Sequence, residues 1–104
     1  MASTTEVRDR IDISLDAVAA EAEFLPGLAS FWDEETLVNK DVWLLEWRDL
    51  MMRLEKLDEE YRSGRMTPDQ QARYRRLLRK LSEATPIIER LELYPPPIPL
   101  EPQL

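Results

Sequence analysis

The chain has 104 residues, with 14 Lys and Arg against 21 Asp and Glu, and a formal net charge of −7 at pH 7. It holds no His and no Cys, which excludes disulfides, thiolate nucleophiles, Cys- or His-based transition-metal sites and the commonest general base. A chain this short supports one small core, and its acidity repels nucleic acid on average.

No apolar run approaches the roughly 20 residues that a membrane-spanning helix needs, because Glu46, Arg48 and Asp49 interrupt the most apolar stretch. The opening residues, from Met1 to Asp9, lack the basic start and apolar core of a secretory signal. The expectation is a soluble cytoplasmic protein without membrane contact. No stretch alternates with period two for long enough to suggest a sheet, so every element reads as a helix.

The first helix is expected to start at Ser3 or Thr4, since Ser3 and Glu6 have capping-box spacing. Val7, Ile11, Leu15, Val18, Ala22 and Leu25 then form one apolar stripe. Ile13, Ala17, Ala20 and Phe24 form a second, about 150° away. A helix apolar on two sides touches two partners. Pro26-Gly27 reads as its stop, with Leu28, Phe31 and Trp32 crossing afterwards as an apolar connection.

The second helix carries the strongest periodicity: Trp43, Trp47, Leu50, Leu54, Leu57 and Tyr61 recur at steps of four and three. It is expected to begin between Asp33 and Asp41, with either as cap, and to end near Arg62 before Ser63-Gly64. Its back carries Val38, Leu45 and Met52, with Val42 to one side and Leu44 and Met51 on the flank. The third helix has the clearest start, with Thr67 as cap, Pro68 at the first helical position and Gln70 closing the capping box. Tyr74, Leu77, Leu78, Leu81, Ala84, Ile88 and Leu91 make its inner face, and Pro86 is expected to kink or split it, with Thr85 capping the restart.

The short Ser63–Thr67 loop predicts that helices 2 and 3 form an antiparallel hairpin, with Leu57 near Tyr74, Trp47 opposite Ala84 and Trp43 near Ile88. The expected fold class is therefore all-α. It is an antiparallel three-helix bundle over residues 1–94, with an extended proline-rich tail over residues 95–104. The tail, with five prolines from Pro95 to Pro102, favours polyproline II. It would act as a ligand for an aromatic groove, an arm to a second subunit, or a strap over its own bundle. Ile98 and Leu100 would be wasted on a solvated spacer, which favours arm or strap.

Charge is segregated along the chain. Residues 1–64 hold seven basic and sixteen acidic side chains for a net of −9, residues 65–80 hold six and one for +5, and residues 81–104 hold one and four for −3. The outward arginines of the third helix, Arg75, Arg76 and Arg79, are the candidate basic face. With no aromatic beside them and no convincing helix-turn-helix pattern, pairing with acids of this chain or of a second copy is preferred to nucleic acid. The carboxylates Glu21, Glu23, Asp33–Glu35 and Asp58–Glu60 read as solvated surface and helix-end charges. No catalytic residues, cofactor or metal are expected.

What remains is an apolar surplus. Ile13, Phe24, Val38, Leu45 and Met52, with Ile98 and Leu100 of the tail, exceed what three helices need around one core, and surplus apolar surface marks interaction sites. The expected function is a non-catalytic protein–protein interaction module that self-associates, a two-fold dimer being the first expectation. The alternatives are a small regulatory or antitoxin-like protein that contacts a basic partner or nucleic acid, and a carboxylate-dependent enzyme with a site between subunits.

Overall fold

A computed structural model describes residues 4–100. Four α-helices and one 3-10 turn follow in order: α1 Thr4–Phe31, the turn Trp32–Glu34, α2 Leu37–Arg62, α3 Pro68–Glu83 and α4 Thr85–Arg90. Among the described residues there is no strand. Ser3, expected to cap the first helix, lies outside the described residues, as does Pro102 of the tail.

α1 is the element on which the others pack. It touches α2, α3 and α4, whereas α2 and α3 meet each other chiefly through side chains. The Tyr61 and Tyr74 rings lie 4.9 Å apart, and the Tyr74 hydroxyl donates to Asp58 at 2.8 Å. Small residues explain the closeness of α1: Ala17, Ala19 and Ala22 let neighbouring backbones approach. Phe24 stacks on Trp43 at one end, while Val7 and Ile11 share a groove with Leu57 at the other, so α1 and α2 run in opposite directions. Arg73 bonds Asp12 and Asp16, and Lys80 bonds Glu23, so α1 and α3 run the same way.

Three expectations about element ends are corrected. The first helix does not stop at Pro26-Gly27 but runs through both to Phe31. Ile11, Leu15, Val18, Ala22, Leu25, Leu28 and Trp32 are all buried, one stripe in phase across the proline, and Pro26 sits on the exposed side. Burying Leu28 and Trp32 in phase outweighs the amide that proline removes. Neither Asp33 nor Asp41 caps α2. Thr36 does, accepting from the Asn39 amide at 3.2 Å, while Glu35 accepts from the Thr36 amide and the Asn39 side chain. Thr85 does not cap α4 either: its hydroxyl donates back to the Leu81 carbonyl at 3.2 Å, as expected for a threonine already in helical conformation.

The start of α3 is as the sequence predicts, with both hydrogen bonds of the Thr67–Gln70 capping box and Pro68 in the first turn. Gln70 goes further than a cap. Its side chain is buried, and its amide nitrogen donates to the Arg8 carbonyl and to Asp12 of α1 at 3.0 and 2.8 Å. Helix α3 ends at Glu83 and α4 starts at Thr85, so the chain breaks at Ala84 and restarts with Pro86 in the first turn of α4.

Two left-handed residues close helices. Gly64 (φ 76°) follows α2, with Arg65 N–H bonded to the Glu60 carbonyl at 3.1 Å. Glu92 (φ 57°) follows α4, with Leu93 N–H bonded to the Ile88 carbonyl at 3.0 Å. Both are Schellman closures, the second without glycine. Beyond it, the Trp47 indole N–H donates to the Tyr94 carbonyl at 2.8 Å, and Ile98 and Leu100 pack half-buried against the core. Trp43, expected beside Ile88, gives its ring to Phe24 at 5.4 Å between centroids.

Candidate functional site

The residues assigned to an interaction surface divide into two groups. Val38, Leu45 and Met52 are 72 %, 62 % and 63 % exposed, and Ile13 is 62 % exposed. None belongs to the core or packs against it. On α2 they point away from Trp47, Met51, Leu54 and Leu57, which carry the buried side. The core is complete without them.

The other group is partly used by the chain itself. Phe24, still exposed, is stacked on Trp43 and set edge-on to Phe31 at 6.3 Å. Ile98 and Leu100 rest on the protein's own core. Their assignment to a surface facing another chain is therefore narrowed, because the anchored carbonyl of Tyr94 turns the following segment back onto the bundle. Met51, expected on a surplus flank, is fully buried, and Leu44 packs half-buried on the core.

On the basic face, Arg75 donates to the Tyr61 hydroxyl at 3.5 Å. Arg76 and Arg79 are exposed and make no ion pair among the described residues. The expected pairing with acids of the same chain is met instead by their neighbours: Arg73 with Asp12 and Asp16, and Lys80 with Glu23 at 2.6 Å. Helix phase explains the difference, since Arg73 and Lys80 lie two turns apart on the side turned to α1.

The carboxylates are spread over separate structural tasks. Asp58 holds Arg62 and the Tyr74 hydroxyl, Glu60 holds Arg65, Asp33 faces Arg90 at 3.6 Å and Glu35 closes the start of α2. The Asn39 side chain and the Thr36 amide hold Glu35 below the usual carboxylate range. The Lys80 ammonium does the same for Glu23. Glu21, at the α1–α2 contact, is pushed up by burial and by the charge of Glu46. The Tyr74 phenol is raised well above its usual range by burial and by its hydrogen bond to Asp58, and so stays protonated as a donor. Among the described residues no three carboxylates gather to hold a metal ion.

Open grooves line the flanks of α1. One, of about 290 Å³, is lined by Val7, Ile11, Ile13 and Leu57 together with Arg10, Arg53 and Lys56. Ser14 and Glu60 also line it, with no hydrogen bond between them among the described residues, where Glu60 is held by Arg65. Among the described residues no helix is long and apolar enough to cross a membrane. Comparison with protein-family models, with curated proteins and with solved structures gives no match.

The exposed apolar face was partly visible as sequence. The back of α2 follows from its period alone. What sequence reasoning missed is Gln70, a capping residue that also ties α3 to α1. The signal was a polar residue of the capping box on the same helical side as Tyr74, Leu77 and Leu81.

Proposed function

We propose that the chain is a non-catalytic helical interaction module that self-associates through the outer face of α2. In this reading it is an antiparallel three-helix bundle centred on α1, with the tail as a strap, at work in the cytoplasm. One observation carries it: Val38, Leu45 and Met52 stand in a line on α2, each well over half exposed, above a core that is closed without them. Three aligned large apolar side chains left in water cost free energy that a partner surface recovers. The scattered tasks of the carboxylates and the lack of His and Cys leave acid–base or nucleophilic chemistry without support.

Light scattering at two protein concentrations tests the reading. A mass that rises from one chain towards two, and falls back for Leu45→Glu, is the expected result. A single-chain mass at both concentrations overturns it. A second reading has its own observation, that Arg76 and Arg79 are exposed and without an ion pair among the described residues: a basic face that contacts an acidic partner or nucleic acid. Retention on duplex DNA at low salt that Arg76→Ala abolishes would support it, and no retention would remove its nucleic-acid form.

A further inference from the structure

Self-association, on which this inference rests, leaves open which way two copies meet, and the pattern of α2 answers that. Val38, Leu45 and Met52 are spaced by seven residues on either side of Leu45. Seven residues are close to two turns, about 10.5 Å, so the three form a nearly straight line with Leu45 at its centre. Such a line is symmetric under reversal. Asp41 and Arg48, also seven apart, run beside it on one flank. Both are exposed, and neither has an ion pair within the chain among the described residues.

We propose that two copies pair antiparallel along α2, around a two-fold axis at Leu45. Leu45 then meets its own copy, Val38 meets the partner's Met52, and Met52 meets the partner's Val38. A two-fold of this kind sets each flank of the helix against the same flank of the other copy, reversed. Asp41 lies four residues before Leu45 and Arg48 three after it, so Asp41 comes within one residue, about 1.5 Å along the axis, of the partner's Arg48. The pair occurs twice by symmetry, and opposite charges meet both times.

The parallel alternative loses on the same residues. With Val38, Leu45 and Met52 as the d positions of a heptad, parallel pairing sets each g residue against the e residue five positions on in the other chain. Asp41 would then face the partner's Glu46, and Arg48 the partner's Arg53, like against like. The stripe is short, so the dimer is expected to be concentration-dependent and to weaken with salt.

The chain has no cysteine, so a single Leu45→Cys variant reports the axis directly. Under mild oxidation it is expected to form a disulfide-linked dimer, because the two Cβ atoms meet on the two-fold. Val38→Cys alone is expected not to link, its two copies being about 21 Å apart along the axis, whereas Val38→Cys mixed with Met52→Cys links. Asp41→Arg or Arg48→Asp alone is expected to weaken the dimer roughly tenfold or more, and the double swap to restore it. These positions are exposed, and an unchanged circular dichroism spectrum checks that each variant is folded. A two-chain mass in which Leu45→Cys fails to link, or in which the double swap fails to rescue, overturns the antiparallel register while leaving self-association standing. A single-chain mass at every concentration overturns both.

Discussion

Gln70 shows how much one side chain can hold. Its carbonyl oxygen accepts from the Thr67 amide at 3.0 Å, and its nitrogen donates both protons into α1. A carboxylate in its place keeps the cap but loses both donations and puts a charge beside Asp12. Gln70→Glu is therefore expected to cost about 2–3 kcal/mol, read from urea unfolding at neutral pH. Glu92 works the other way. A non-glycine residue at φ 57° strains the backbone, and Glu92 is exposed, so its side chain is dispensable for packing. Glu92→Gly is expected to stabilise by about 0.5–1 kcal/mol, and Gly64→Ala, at φ 76°, to destabilise by a similar amount. Paired thermal melts check both signs.

Among the elements, the two prolines inside helical stretches behave differently. Pro26 has Leu25 and Leu28 buried on either side and stays within α1. Pro86 also has an apolar stripe in phase across it, yet the helix breaks before it and restarts. The break just before Pro86, at Ala84, places the proline in the first turn of α4, where its missing amide costs no helical bond, and α4 still contacts α1, with Ile88 and the following Leu91 buried. Packing rewards a continuous α1 instead, because its buried stripe runs from Ile11 to Leu28 and on to Trp32 in the turn that follows. Pro26→Ala restores an amide on the exposed side of α1 and is expected to stabilise by about 1–3 kcal/mol. A fall in the denaturation midpoint would show that the chain uses the proline to bend α1.

For the molecule as a whole, charge and tail set the conditions of stability. Glu21 binds its proton more tightly when folded than when unfolded, so its contribution falls as pH rises through the ordinary carboxylate range. Glu21→Gln is expected to gain stability over the parent at neutral pH, with the gain fading below that range. Glu23 has the opposite sign: held low by Lys80, it contributes above the ordinary range and loses that contribution as pH falls, so Glu23→Gln is destabilising at neutral pH. Stability curves at several pH values separate the two. Truncation after Tyr94 removes the half-buried Ile98 and Leu100. It is expected to cost about 1–2 kcal/mol, a melting temperature lower by several degrees. An unchanged melt would free the tail for an external ligand.

The sequence by itself determined that the chain is helical, where α3 starts, and that α2 has an outer apolar line at Val38, Leu45 and Met52. These follow from period, capping chemistry and turn residues, which act within a few residues of chain. Contacts between distant segments set the rest: α1 runs through Pro26, Phe24 belongs with Trp43, Gln70 joins two helices and the tail folds back towards Trp47. Each of these depends on what a side chain meets from a distant segment, and local pattern carries no record of that. Two residues of one type, Pro26 and Pro86, had different outcomes, one inside a continuous α1 and one in the first turn of a new helix, although buried residues flank both.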